Sequence, residues 1–469
     1  MEGFRVQNCR LGLARKEGVS HRARVVVGRW TAGAADLRGW TVMGAGAGGA
    51  RPYEYVGVTA GGLERFLAAE VSERGGQVAW VRRGAVAFSL ERGCARQLRT
   101  ADRIVVALTD RDAEPQAVGR DKDVALETIE ETARACTRAN CKAALEIVRA
   151  WRCAERSGDD DVPADADVSF RVTCKRTVAT HIGGAQRQKQ AFCSVDAAGA
   201  FGAGVAEAAG WRVSLRAWHI DVFLLIEDDA LAFAGLELLR TTTLKGRAMS
   251  VPLYALRPWR ASLVETALKP SVARALLAEA RVTAGDIVVD PCGGGMTIPL
   301  EAADVQAGPC QYACVGIGGD VDADPLVCAM ANAEAAGRHA PAVGVLRWDG
   351  GALPLRSGIA DAVVSDLPFG KRCGKPGQRG GLYSRVAREA ARLLRPGGRA
   401  VFLCCGKKSF DVLEAGGRGF LKALARERIT MELEATMCVF ERVGGAYVGL
   451  AAEASCADGS NTNGAASNG

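Results

Sequence analysis

The sequence predicts an α/β protein: a doubly wound parallel sheet in its C-terminal part, preceded by two smaller α+β units. Three observations carry this. Between residues 265 and 451, short apolar runs alternate with helical segments, as in a parallel sheet wrapped by crossover helices. Acidic residues recur where those apolar runs end. The 469 residues exceed what a single hydrophobic core usually serves.

The elements follow in order. Residues 1–50 are rich in arginine, poor in acids and carry the run MGAGAGGA. They are expected to be a disordered basic segment, with a transit peptide as the alternative. From residue 52, EYVGVTA predicts a strand, and GLERFLAAEV a helix with Leu63, Phe66, Leu67 and Val71 on one face. QVAWVRRGAVAFSL alternates like a hairpin, and CARQLRTADRIVVAL predicts a helix and a strand. A second unit spans residues 120–245. In it ALETIEETARACTRANCKAALEIV is expected to be helical, ERSGDDDVPADAD to be an acidic loop and VSFRVTCKR to be a strand. DAAGAFGAGVAEAAGW predicts a helix and HIDVFLLIED an apolar strand. Lys175, Arg176, Arg187 and Lys189 stand in CKRTVATHIGGAQRQKQ, a basic stretch that either follows a phosphate backbone or is a solvated loop. In the third unit DIVVD, CVGIGGDVD, ADAVVSD and GRAVFLCC are strands, separated by the helices TIPLEAADV, DPLVCAMANAEAAG and YSRVAREAARLL. A terminal hairpin is expected to turn at Gly444–Gly445, followed by a disordered tail from Ala452.

Composition narrows the function classes. Hydrophobic residues make up 48% and charged residues 24%, as in ordinary globular proteins. No apolar run is long enough to span a membrane. The net charge of +7 allows a polyanionic partner without requiring one. The 16 cysteines form no CxxC pairs and only 4 histidines are present, so no metal site is expected. Unpaired cysteines suit a reducing compartment, the cytoplasm or the nucleus.

In an open α/β sheet, ligands bind beyond the carboxyl ends of the strands. Asp290, Asp320, Asp349 and Asp366 fall at such ends. Asp290 is followed by PCGGGMT, where Gly293, Gly294 and Gly295 either let the backbone approach a ligand or make a tight turn. Neither a GxGxxG nor a phosphate-binding Gly-Lys-Ser/Thr pattern is present. Asp320, with Asp322 beside it, is placed to accept ribose hydroxyls, and Asp349 to accept from an adenine amine. The set suits an adenosine without a polyphosphate. Beyond the last acid lies DLPFGKR. Asp366 and the Leu367 carbonyl can accept from an exocyclic amine, Pro368 stiffens the loop, and Phe369 offers a ring for stacking a base. Lys371 and Arg372, then Lys375 and Arg379, can hold phosphates.

These residues resemble the THUMP-domain-containing RNA guanine-N2 methyltransferases, S-adenosylmethionine-dependent enzymes of the Rossmann-like class I fold. DPCGGGMTIPLEAA is similar to that family's DPxCGxGTIxIEAA element. WDGGALPLRSGIADAVVSDLPFGKR is similar to its LPL and DLPFGKR segment at matching spacing. YVGVTAGGLERFLAAEV resembles the start of its ferredoxin-like domain, and FRVTCKR through LLIED resembles its THUMP domain. The likeness covers about residues 52–450 and is greatest to the eukaryotic branch acting on transfer RNA or U6 small nuclear RNA. It implies a ferredoxin-like domain at 52–119, a THUMP RNA-binding domain at 120–245, a linker at 246–264 and a methyltransferase domain at 265–451. It implies that Asp290, Gly293, Gly294, Gly295, Asp320, Asp322 and Asp349 line the S-adenosylmethionine site, and that Asp366, Leu367, Pro368 and Phe369 form the catalytic loop. It also implies a small zinc-binding activator subunit. One departure stands out: Met296 occupies the position of a family glycine, and Gly293 that of a cysteine. Either the glycine run shifts by one or Met296 crowds the cofactor. Two alternatives follow: an adenine-N6 nucleic-acid methyltransferase, and an RNA-binding adaptor that has lost cofactor binding.

Overall fold

The computed structural model describes residues 54–108, 116–119, 121–136, 138–153, 162–163, 167–177, 191–227, 230–239, 241–244, 247–250, 252–305, 314–369, 379–406, 408–431 and 434–444. The terminal segments expected to be disordered lie outside these residues. So do most of the acidic loop and the cations Arg187, Lys189, Lys371, Arg372 and Lys375.

The N-terminal part opens with β1 (Tyr55–Val58), α1 (Glu64–Glu73), the hairpin β2 (Gln77–Arg82) and β3 (Ala85–Ser89), the short α2 (Arg92–Ala95) and β4 (Arg103–Ala107). The apolar face read for α1 is the one the fold buries, with Leu63, Phe66, Leu67 and Val71 all inside. There follow β5 (Gln116–Ala117), α3 (Lys122–Arg134), α4 (Arg138–Cys153), β6 (Ser169–Thr177), α5 (Ser194–Ala209), β7 (Arg212–Val213), β8 (Ile220–Glu227), β9 (Ala230–Glu237) and the small hairpin β10 (Thr241–Leu244) and β11 (Arg247–Ser250). The sequence pattern reads α3 and α4 as one helix. In the fold the chain turns at Ala135–Cys136, and the buried Cys136 closes the last turn with a bond from its N–H to the Ala133 carbonyl.

Among the described residues β1–β9 form one nine-stranded sheet, ordered β2-β3-β1-β4-β9-β8-β6-β7, with β5 also on β9. The boundary at 119/120 falls inside this sheet, because β4 pairs antiparallel with β9 (Val105↔Glu237, Ala107↔Gly235). One core serves both segments. Tyr55 of β1 meets Trp151 of α4 edge-on, with ring centroids 5.8 Å apart. Burying large aromatic rings contributes several kcal/mol, about 3–5 per residue lost to alanine, so the segments fold as one body.

The C-terminal part comprises α6 (Pro270–Glu279), β12 (Ile287–Asp290), α7 (Thr297–Ala303), β13 (Val315–Asp320), α8 (Ala323–Ala336), β14 (Val343–Arg347), β15 (Ala360–Asp366), α9 (Arg379–Leu393), β16 (Leu394–Cys404), α10 (Ser409–Gly416), β17 (Leu421–Thr430) and β18 (Glu434–Arg442). Its sheet runs β14-β13-β12-β15-β16-β18-β17. β12 to β16 are parallel, while β18 runs antiparallel between β16 and β17. Strand order reverses between β12 and β15, which opens a crevice at their carboxyl ends. The terminal hairpin turns between Thr430 and Glu434 rather than at Gly444–Gly445. LKALARERIT alternates in burial, inward and outward, and is the first arm; the glycines come after the second.

The two parts meet through backbone and charge. Gly61 and Thr430 exchange N–H to carbonyl bonds of 3.2 and 2.7 Å. Arg65 of α1 donates to Glu279 at 2.7 Å and also to Glu427.

Candidate active site

The crevice is built from the ends of β12, β13 and β15. β12 ends at Asp290, a buried carboxylate whose Oδ1 accepts from Ser365 Oγ at 2.6 Å and from the Cys292 N–H at 3.1 Å. Asp290 thus ties the first strand to β15 and shapes the turn that follows. Burial pushes its carboxyl up to about 7, partly offset by these two bonds.

The glycine turn closes on β13. Gly293 N–H donates to the Gly319 carbonyl at 2.8 Å, and Gly294 N–H to Asp320 Oδ2 at 3.2 Å. Of the three glycines, Gly294 (φ +49°) faces open space, with nothing within 4 Å of where a Cβ would stand. Gly293 and Gly295 face protein: a Cβ on Gly293 would meet Gly319 N at 3.2 Å, and one on Gly295 would meet Asn332. Asp320 is half-buried; its Oδ1 accepts from Asp322 N–H at 3.1 Å. Asp322 and Asp349 are exposed at the rim. Asp349 pairs with Arg385 at 3.3 Å and accepts from Gly351 N–H at 2.9 Å.

Met296 resolves the departure in the glycine run. It sits at φ +67°, in the left-handed region that favours glycine. Its side chain is fully buried in a cluster with Trp259, Leu300 and Ala329. Its sulfur lies 2.8 Å from where a Cβ on Gly318 would stand. The methionine therefore fills space beneath the sheet that Gly318 leaves free.

Asp366 closes β15 beside Asp290. Its Oδ1 is enclosed and has no hydrogen-bond partner among the described residues. Burial first, and the Asp290 charge second, push this carboxyl up to about 8. An enclosed acceptor without a partner among the described residues is costly and rare. The loop beyond is held on both sides. Leu367 N–H donates to the Leu403 carbonyl at 2.9 Å, and Tyr383 hydroxyl to the Pro368 carbonyl at 3.0 Å. Phe369 is half-buried and packs against the same core cluster as Leu268 and Met431.

The fold thus brings Asp290, Gly293–Gly295, Asp320 and Asp366–Phe369 together. Lys175 and Arg176 lie on β6 in the N-terminal part. Lys175 donates to the Thr59 carbonyl at 3.5 Å; Arg176 donates to Ser194 Oγ at 3.0 Å and to the Phe192 carbonyl. Sequence reading missed Ser365, the lone hydroxyl in an apolar strand, and Tyr383. It also missed the connector across the turn, where Ser262 N–H donates to Asn332 Oδ1 at 2.7 Å and Asn332 in turn donates to the Gly295 carbonyl at 3.0 Å.

Residues 257–418 match the UPF0020 family, described as an RMKL-like methyltransferase domain. The tRNA (guanine(6)-N(2))-methyltransferase THUMP3 of Bos taurus is 30% identical over 259 residues, 53% of this chain and 46% of that protein. The U6 snRNA (guanine-N(2))-methyltransferase THUMPD2 of Mus musculus is 28% identical over 257 residues, 55% of this chain and 42% of that protein. The chain thus spans about half the length of the curated relatives it matches. Among solved structures, TrmN from Thermus thermophilus superposes with a TM-score of 0.55 at 24% identity, over 83% of this chain and 99% of that one. Strand order, acid placement and these likenesses agree: the C-terminal part has the class I methyltransferase fold, and residues 257–418 are similar to the UPF0020, RMKL-like methyltransferase domain.

Proposed function

We propose that this protein transfers a methyl group to the N2 amine of a guanosine in RNA, with S-adenosylmethionine as donor and a transfer RNA or U6 small nuclear RNA as substrate. The observation that carries the reading is the enclosed Asp366 Oδ1, an acceptor without a partner among the described residues at the switch point of the sheet. The open side of Gly294 and the half-buried Asp320 suit a nucleoside cofactor: backbone approaches on one side, a carboxylate accepts ribose hydroxyls on the other. When bound, that cofactor supplies an electrophilic methyl on a sulfonium.

The residues of the chain supply position and charge. Asp366 and the Leu367 carbonyl accept the two N–H groups of the guanine amine, turning its lone pair toward the methyl. Phe369 holds the flipped base by its face. Positioning and a preformed acceptor for developing positive charge account for most of the acceleration. Asp366 then takes the released proton.

The N-terminal sheet is read as ferredoxin-like and THUMP-like RNA-gripping modules that hold helical RNA by shape and backbone. The zinc-binding activator subunit belongs to this reading too. The flank of α8 and β14, where Val327, Met330 and Leu346 are exposed, offers it an apolar surface. No described helix is long and apolar enough to cross a membrane. A cytoplasmic or nuclear place fits an RNA substrate.

The test is incubation with S-adenosylmethionine and unmodified small RNA, with the activator co-expressed, followed by mass spectrometry of the digested nucleosides. N2-methylguanosine is the expected product. N6-methyladenosine would transfer the site to adenine chemistry. RNA binding with no methylated nucleoside would leave an adaptor.

A further inference from the structure

Cations from separate segments converge where the two parts of the protein meet. Lys175 reaches in from β6, and its Nζ lies 4.0 Å from where a Cβ on Gly84 would stand, next to the β2–β3 turn. Arg83 in that turn donates to Thr430 Oγ1, while its Nε is enclosed and has no partner among the described residues. From the connector, the Arg260 guanidinium lies 5.3 Å from the centre of the Tyr254 ring and the Lys269 ammonium 5.9 Å from it. Arg260 also donates to the Leu268 carbonyl at 3.4 Å, and Leu268 packs in the same cluster as Phe369 and Met431.

Few acids balance this group, and those nearby are already occupied. Asp102 accepts from Ser271 Oγ and pairs with Lys269 at 3.2 Å. Glu64 is held by the backbone N–H groups of Gly62 and Gly84. Among the described residues Arg83, Lys175 and Arg260 have no carboxylate at ion-pair distance. Burial holds the Lys175 ammonium below the usual lysine range; Asp102 pulls against it, and Lys269 and Arg103 push the same way as burial. Half-burying like charges together is unfavourable unless an anion arrives to neutralise them.

We infer that Arg83, Lys175, Arg260 and Lys269 form a backbone-phosphate seam that holds the RNA strand at the junction of the two parts. This rests on the RNA methyltransferase reading and adds the place where the strand crosses between the RNA-gripping sheet and the crevice. The contacts are charge to phosphate, so they position the strand without reading its sequence.

The test uses the full chain and a fluorescently labelled, in vitro transcribed transfer RNA, with binding followed by anisotropy across a potassium chloride series. Lys175→Met and Arg260→Met are each expected to weaken binding several-fold and to reduce the slope of log K against log salt by about 0.7–0.9, the share of one phosphate contact. Lys175→Arg should restore the slope. Thermal stability of Lys175→Met should stay level or rise, because a crowded half-buried charge has gone. Asp366→Ala should keep the wild-type slope while losing methyl transfer, which separates this seam from catalysis. A wild-type slope in both Met variants overturns the seam and leaves the enzymatic reading standing, as does a fall in melting temperature with the slope unchanged. A wild-type chain that binds no RNA overturns both.

Discussion

Arg99 Nη2 lies 2.5 Å from Asp304 Oδ2, and both side chains are buried. The pair joins the N-terminal sheet to α7, the helix that begins at the glycine turn. It is not isolated: Arg257 Nε donates to Glu301 at 3.0 Å, Arg257 also donates to the Arg99 carbonyl at 2.9 Å, and Trp259 Nε1 donates to Asp304 at 3.2 Å. Glu301 of α7 and Asp304 just beyond its end are thus both held by side chains from the N-terminal part and the connector. Buried ion pairs and hydrogen bonds thus link the N-terminal part, the connector and the helix that follows the glycine turn.

Arg99→Met should therefore lower stability by about 3–5 kcal/mol, since removing one member of a buried pair leaves the other charge uncompensated. Denaturant unfolding of the variant checks this. A loss under about 1 kcal/mol would mean that Asp304 and Glu301 are adequately held by Arg257 and Trp259 alone.

Asp366→Asn keeps the shape of the β15 end but removes the proton acceptor. It should abolish methyl transfer while S-adenosylmethionine binding, measured by calorimetry, stays within about threefold of wild type. Turnover comparable to wild type would remove Asp366 from the mechanism. In the wild type the single-turnover rate should fall as pH is lowered through the Asp366 value, about 8 without ligand. A bound sulfonium nearby should move that limb to lower pH.

Stability should respond to pH in the opposite sense. Asp290 and Asp366 are raised to about 7 and about 8, above the ordinary carboxylate value of 3.8. Between about pH 4 and pH 8 the folded chain therefore holds more protons at these sites than the unfolded chain, and their contribution is lost as pH rises. The melting temperature of the ligand-free protein should drop across that window. Asp366→Asn should flatten the drop; an unchanged profile would mean that Asp366 ionises freely in the fold.

Met296→Gly removes a left-handed methionine, which relieves about 1–2 kcal/mol of backbone strain. It also empties a packed site, at a cost of about 2–5 kcal/mol. The net expectation is a modest destabilisation with cofactor affinity unchanged, since the side chain points into the core. Tighter cofactor binding in the variant would show that the methionine does intrude on the crevice.

Phe369→Ala should slow methyl transfer by an amount corresponding to about 1–3 kcal/mol, the worth of one base stacked on an aromatic ring. The effect should appear with RNA and be absent from cofactor binding. Equal kinetics with RNA would confine Phe369 to packing against the core.

By itself the sequence determined the alternation of strand and helix from 287 to 404, the acids at the strand ends and the DLPF loop that follows the last of them. These are local features: hydrophobic period, strand length and turn chemistry are written within a few neighbouring residues. Tertiary structure alone decided which way Met296 points, that Asp290 is engaged by Ser365 while Asp366 Oδ1 has no partner among the described residues, and that β4 and β9 merge two segments into one sheet. It also decided that Lys175 turns inward to Thr59, 116 residues away in the chain, and that Arg99 pairs across 205 residues with Asp304. The physical reason is common to all of these. A side chain's charge state and direction depend on what packs around it, and those neighbours come from distant segments that no local pattern names.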